Sequence, residues 1–313
     1  MQDAAISFPM FGDRFILNPS RSFEVLGRPV YWYAVIIAAG FILATLYILH
    51  RRNEFGLSQD NILDMFIYSV PSGIIGARLF YVLFNPSVYF GAGNWVNIFK
   101  VWEGGLAIYG GIIAAAIAMF LYSKVKKIPA GVLFDVGGLG LLIGQAIGRW
   151  GNFINREAYG AETAAPWRMG LTTTAGTFYV HPTFLYESLW NILGFVFIHF
   201  YTKRRKYDGE IFLIYAGWYG LGRYMIEGLR TDSLYLFGTD IRISQLLAAL
   251  AFGVSLLILL RNHYRNKLHP HELFADRLKR EKKEAENKQA ERDDASAGEN
   301  VAAENKQETT TNE

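Results

Sequence analysis

GRWGNFINREAYG, residues 148–160, is the stretch on which the reading of the chain turns. It closes an apolar run that begins near Gly131. It crowds Arg149, Asn152, Asn155, Arg156 and Glu157 into the place where a hydrocarbon-spanning helix should be ending. Ionisable groups at membrane depth are costly and rare, and they face a cavity or a partner, so the patch reads as a functional site. Everything else either builds a membrane bundle around this segment or supplies groups that meet it.

Outward from it, the apolar blocks have spanning length, about 20 residues for a hydrocarbon core about 30 Å thick. Seven such blocks are visible: residues 30–50, 62–84, 104–123, 131–154, 183–201, 211–229 and 243–260. Basic clusters follow the first, third, fifth and seventh: Arg51 and Arg52; Lys124, Lys126 and Lys127; Lys203 to Lys206; Arg261, Arg265 and Lys267. The positive-inside rule then puts the N-terminus outside, the C-terminus in the cytoplasm and residues 148–160 near the outer face. The expected fold is an all-α polytopic membrane protein with seven transmembrane helices.

Three regions follow from this division. Residues 1–29 form an external or interfacial arm, because they lack the basic, apolar and small-residue order of a signal peptide. Residues 30–262 form the seven-helix transmembrane domain. Residues 263–313 are a charged cytoplasmic tail, in which 272–292 suits a charged helix and the remainder has a disordered composition.

Composition narrows the chemistry. The chain of 313 residues is 51% hydrophobic, and its net charge of +3 sits in clusters between apolar blocks, which argues against nucleic acid. There are no cysteines, which removes disulfides, thiolate metal sites and a cysteine nucleophile of the protein's own. No His-x-x-x-His pair, carboxylate cluster or phosphate-cradling glycine loop is present, so neither metal nor cofactor is expected.

Two helical ladders carry the polar groups. In the fourth span, Gly137, Gly140, Gly144, Gly148 and Gly151 lie on one stripe, which lets another helix approach closely. A neighbouring stripe carries Gln145, Arg149, Asn152 and Arg156. Snorkelling to the headgroups accounts for Arg156 but not for Arg149, which sits inside the apolar run. In the sixth span, Tyr215, Tyr219, Arg223 and Glu227 fall at successive i+4 steps, with Arg230 and Asp232 just beyond. Arg223 and Glu227 suit a structural ion pair. Two arginines on separate spans near one face also suit a shared anionic ligand, since the guanidinium fork matches a phosphate. Tyr33, Arg78, Glu103, Tyr109, His181, Tyr186 and Glu187 are further candidates.

Three function classes remain at this point. They are an enzyme acting on an anionic ligand, an anionic-lipid transporter or flippase with the arginines as headgroup site, and a seven-span receptor with a structural ion pair. The patch lies near one face rather than at the midplane where transporter sites sit, which counts against the second. Residues 243–260 contain no lysine for a retinal Schiff base, which excludes that version of the third.

GRWGNFINREAYG closely resembles the signature of the prolipoprotein diacylglyceryl transferases, bacterial seven-span membrane enzymes. PVYWYAV with Tyr33, IIGARLFYVLF with Arg78, WEGGLAIYGG with Tyr109, HPTFLYE from His181 to Glu187 and YGLGRYMIEGLR with Arg223 and Glu227 agree in order and spacing. The resemblance implies a multi-pass protein of the bacterial cytoplasmic (inner) membrane. It implies transfer of the diacylglyceryl group of phosphatidylglycerol to the lipobox cysteine thiol of a preprolipoprotein, which gives a thioether and glycerol 1-phosphate. Arg149, Asn152, Glu157 and Gly160 match the signature's functional residues, and Tyr33, Arg223 and Glu227 match others.

The resulting candidate catalytic set is Arg149, Arg223, Tyr33, Glu157, Glu227 and Tyr109. Arg149, Asn152, Arg223, Gly160, Arg78 and Tyr219 are the candidates for the phosphatidylglycerol headgroup. Where some members carry a histidine proposed as a base, this chain has Tyr109. A tyrosine titrating near about 10 is a poor base beside a histidine near about 6.5. The absent cysteines fit a reaction whose nucleophile belongs to the substrate.

Overall fold

A chain inside hydrocarbon must pair every backbone N–H and C=O internally, and a helix does so within one segment. The computed structural model describes residues 4–12, 14–90, 95–236 and 238–310, with side chains described as far as 292. It is mostly helical: α1 Trp32–Arg51, α2 Gln59–Phe84, the single turn α3 Pro86–Tyr89, α4 Ile108–Lys126, α5 Ala130–Asn155, α6 Thr183–Tyr201, α7 Glu210–Glu227, α8 Ile243–Leu268 and α9 Phe274–Thr310. Five of them (α1, α2, α4, α5 and α8) are long and apolar enough to cross a membrane. The two others at expected spans, α6 and α7, carry Glu187 and Asn191, and Glu210, Arg223 and Glu227. The groups that lower their hydropathy include the candidate site residues. Leu83, Ile112, Leu121, Leu193 and Leu257 stand exposed on the helices, an exterior suited to lipid.

Helix α5 is the axis, packed against α1, α4, α6 and α7. Its glycine stripe meets α1, as the spacing predicts. Ile48 lies over Gly140, Ile37 over Gly148 and the Tyr33 ring over Gly151, while Gly40 of α1 faces Gly144. Gly137 instead faces Met119 of α4. Helix α2 packs closely on α4: a Cβ on Gly76 would collide with Ala114 and with the Gly110 carbonyl, and one on Gly110 with Phe80. Small residues therefore set this crossing, as they do in lipid generally. Helix α6 meets α7 through stacked Trp190 and Trp218 rings, 4.6 Å apart. Each indole N–H donates to the other residue's carbonyl at 2.9 Å.

One end of the bundle carries strands. These are β1 Ala5–Ser7, β2 Ile16–Leu17, β3 Ser22–Val25, β4 Arg28–Tyr31, β5 Met169–Thr173 and β6 Gly176–Val180. The order β2-β1-β5-β6 makes one antiparallel sheet from the N-terminal arm and the α5–α6 connection, with Ile6 opposite Leu171 and Met169 opposite Val180. Ala4, Ile6, Met169, Leu171 and Val180 close over Phe184 of α6 as a second core. The arm is thus part of the fold. Arg156 is the pin, and snorkelling is the wrong reading of it. It is 4% exposed, and its guanidinium donates to the carbonyls of Ala4 and Ile154 and to Asn18 Oδ1.

The opposite end collects the basic clusters. There Asp135 of α5 accepts from the N–H groups of Gly209 and Phe212, both at 2.8 Å, and so caps the first turn of α7. Asp208 does the same for Phe274 at 3.0 Å. Phe274 and Ala275 are buried against Gly56. Helix α9 then continues to Thr310, beyond the 272–292 segment expected to be helical. Gly91 and Gly93 of the α2–α4 connection lie outside the described residues.

Gly76→Leu should abolish the α2–α4 crossing, whereas Gly144→Ala, whose Cβ would meet nothing within 4 Å, should be tolerated. Thermal unfolding in detergent should show a loss of about 1–3 kcal/mol or more for the first and little for the second. Equal stability of the two would contradict the packing described.

Candidate active site

Under the sheet, one carboxylate gathers cations from three segments. Glu187 sits in the second turn of α6, oriented inward because the opposite face of that helix carries Leu189, Ile192 and Leu193 to the exterior. It is only 4% exposed, so its charge must be compensated by protein. Arg149 of α5 reaches its Oε2 at 2.5 Å. Arg223 of α7 donates to both carboxylate oxygens at 3.2 Å, and Arg230, just past α7, reaches Oε1 at 3.2 Å.

A second tier fixes those arginines. Arg223 also pairs with Glu227 Oε2 at 2.5 Å, one helical turn on. Glu227 is 1% exposed, and its other oxygen accepts from Ser233 Oγ at 2.7 Å. Arg242 donates to the Glu227 carbonyl. Arg230 forms a two-pronged pair with Asp232, at 2.9 and 2.7 Å. On the α5 side, Asn152 Nδ2 and Asn155 Nδ2 donate to Glu157 Oε1 at 2.9 and 3.3 Å, and Asn152 Oδ1 lies 3.4 Å from Arg149 Nη1. Two chains of contacts thus run outward from Glu187, one to Glu157 and one to Asp232.

Partial burial pushes the Asp232 carboxyl up, but the hydrogen bonds and charge of Arg230 outweigh it and hold the group below the usual carboxylate range. A lowered folded value means that the pair contributes above the unfolded value, about 3.9, and is lost only as pH falls through the lowered one. At neutral pH it is charged and constant. Asp232 remains half exposed, so solvent screens it.

Among the sequence candidates, Arg149, Asn152, Glu157, Arg223 and Glu227 come together here. Gly160 is beside them for a steric reason. Its N–H donates to the His181 carbonyl at 3.0 Å, it bridges to Arg230, and a Cβ would lie 2.7 Å from that of His181. Tyr33 packs on Gly151, where a Cβ would lie 2.6 Å from its ring, and Tyr219 stacks on Tyr215. Tyr109, half-buried at the start of α4, makes no hydrogen bond or ion pair with the cluster among the described residues.

Arg78 is not gathered either. It is buried over the Tyr89 ring and donates to the carbonyls of Asn97, Ile98, Gly104 and Gly105 at 2.5 to 3.1 Å, so it anchors the loop before α4. Glu187 and Arg230, the hub and its third cation, close two of the quoted motifs, HPTFLYE and YGLGRYMIEGLR, but stand outside the candidate catalytic and headgroup sets. HPTFLYE, with its acid at the start of an apolar run, was the available signal for the hub.

Residues 21–261 match the family model described as prolipoprotein diacylglyceryl transferase. The chain is 39% identical over 275 residues to a protein of Enterococcus faecalis, covering 84% of this chain and 96% of that one. It is 42% identical over 255 residues to one of Oceanobacillus iheyensis, covering 78% and 87%. A protein of Clostridioides difficile is 42% identical over 215 residues, covering 69% and 84%. All three relatives are named phosphatidylglycerol–prolipoprotein diacylglyceryl transferase.

Glu187→Ala should leave three guanidiniums without their shared acceptor and cost about 3–5 kcal/mol of stability. Glu157→Ala, at an exposed position, should stay within about 0.5 kcal/mol of the parent. Thermal unfolding in detergent measures both, and matching losses would remove Glu187 from its place as hub.

Proposed function

The chain belongs to the prolipoprotein diacylglyceryl transferase family, and from that premise we propose that its polar cluster performs the family's transfer. The protein is a membrane-embedded transferase of lipoprotein biosynthesis, and its lipid substrate is phosphatidylglycerol. We further assign it seven spans in the bacterial inner membrane, N-terminus outside, with the sheet at the outer face. The clustering of Arg51, Lys126, Lys203, Arg205 and Lys267 at the opposite end supports that orientation.

In the reaction, the acceptor's lipobox cysteine enters as thiolate. Its sulfur attacks the terminal glycerol carbon of the diacylglyceryl group. The C–S bond forms, the C–O bond to the phosphate breaks, and glycerol 1-phosphate leaves with the oxygen and the electron pair; the thiol proton goes to solvent. Negative charge collects on the departing phosphate. Arg149 and Arg223 stabilise it with the N–H groups that Glu187 and Glu227 do not engage, since each guanidinium has five donors. Asn152 and Glu157 orient Arg149 and the glycerol hydroxyls. Donors already aimed at developing charge need no reorganisation, which is where such sites gain most.

The observation that carries the reading is the convergence of Arg149, Arg223 and Arg230 on one buried carboxylate. Ion pairs at the end of the bundle, beneath a folded sheet, fit a site reached from one side better than a midplane transport site.

The test is purified protein with phosphatidylglycerol and a lipobox peptide, read by mass. Addition of a diacylglyceryl group to the cysteine peptide and not to its serine analogue is expected; intact lipid movement without product would favour a transporter. Arg149→Lys and Arg223→Ala should each lower turnover by about 10²–10³, and near-normal rates in the folded variants would overturn the phosphate assignment. With no histidine at position 109, the rate should rise with pH toward the thiol's own value, about 8.5 or somewhat below it beside arginines. An inflection near about 6.5 that disappears in His181→Gln would instead assign a histidine base.

A further inference from the structure

A cleft of about 410 Å³ opens at the outer end of the bundle, between the N-terminal arm, the loop after α5 and the loop after α7. Arg21 and Tyr31 of the arm, Asn155, Arg156 and Glu157 at and just past the end of α5, and Asp232 after α7 line it. Arg156 and Ala158 both have left-handed backbones, φ +53° and +56°, so the loop turns back twice and leaves the hollow between them. Arg21 Nη2 donates to the Asn155 carbonyl at 3.0 Å and ties the arm to the end of α5. Glu157 and Asp232 are the outer ends of the two contact chains that start at Glu187. The cleft therefore abuts the reacting cluster from both sides.

We propose that this cleft holds the segment of the acceptor polypeptide that directly follows its reactive cysteine. The assignment rests on the transfer reaction above. Three observations select this occupant. The volume lies within the range of small-ligand sites, about 300–1,000 Å³, enough for a few residues of extended chain but not for a folded domain. The walls come from the N-terminal arm, the last residue of α5 and the loops after α5 and α7, and four charged side chains line them, so they do not suit acyl chains. The lining sets two cations, Arg21 and Arg156, both donating to backbone carbonyls, against two carboxylates, Glu157 and Asp232, so it offers an anionic headgroup no net attraction, and the lipid phosphate is left to the arginines inside.

The absence of native cysteines makes the test direct. Thr231→Cys places one thiol in the lining beside Asp232, and Tyr31→Cys places one in the lining from the N-terminal arm. Each full-length variant is assayed before and after alkylation with a bulky maleimide, with excess reagent removed. Ala175→Cys, exposed in the turn between β5 and β6, is the labelled control. Alkylation at the cleft is expected to raise KM for the peptide about tenfold while KM for phosphatidylglycerol stays within about twofold, the pattern of a lost acceptor contact. Excess peptide should slow the alkylation, and the labelled control should keep both constants. An unchanged peptide KM, or a rise in the lipid KM instead, overturns the assignment while transfer itself persists. Absence of any transfer by the unlabelled parent chain would overturn the reaction, and the cleft assignment with it.

Discussion

A carboxylate with almost no solvent around it cannot remain charged alone, and Glu187 is that carboxylate. The effective desolvation penalty for a buried ion is several kcal/mol, and good geometry with several donors is what offsets it. Three arginines supply those donors, from α5, α7 and the loop after α7. The requirement runs in both directions. Arg149 and Arg223 lie within apolar helices and would themselves be unstable without an acid, so the helices α5, α6 and α7 are held at one mutual depth.

That constraint shapes both ends of the bundle. Above the cluster, the α5–α6 connection must leave α5 at Asn155, pass Gly160 between His181 and Leu229, and return into α6. The N-terminal arm completes its sheet, with Arg156 bound to Ala4 and Asn18. Below, Asp135 caps α7 from inside α5, which sets the depth of α7 from the other end. A cap from another helix has a different consequence from a local one: it couples the position of α7 to that of α5, on which Arg149 rides.

Helices were legible because hydrocarbon forces the backbone to pair within each segment, so apolar length alone marks them. Boundaries moved where side chains rather than hydropathy decide: α2 starts at Gln59 because Ser58 and Asn61 form a capping box, and α8 runs on to Leu268 as a polar helix past its apolar part. The sheet was not legible. Its strands are two to five residues long, and the pairing of Ile6 with Leu171 joins segments far apart in sequence. Within the site, arginines in apolar runs announce themselves, which is why Arg149 and Arg223 were found. Arg78 announces itself equally and is used for backbone carbonyls, because a guanidinium fits a cluster of carbonyl oxygens as well as a phosphate. Glu187 was quieter for a related reason. An acid one turn from a helix start has no period of its own, and its importance lies in three partners from other segments.

The charges in the cluster bear on the proposed chemistry. Arg149, Arg223 and Arg230 face Glu187, Glu227 and Asp232, so the formal sum is zero. The six are not equivalent. Glu187 and Glu227 are buried, while the side chain of Asp232 is 50% exposed and largely screened by water. What an incoming group experiences at Arg149 and Arg223 is therefore an excess of about one positive charge, the complement of one phosphodiester. As the C–O bond breaks, the phosphate gains a second negative charge while the thiolate loses its own. The charge moves from sulfur toward the arginines, and the total does not grow. A site with fixed donors on one side and a screened acid on the other favours that displacement in one direction. Stronger binding of the intact lipid would lower the ground state as much as the transition state and leave the rate unchanged. Pairing the arginines to Glu187 and Glu227 limits that ground-state attraction and keeps their remaining donors in place for the charge that develops.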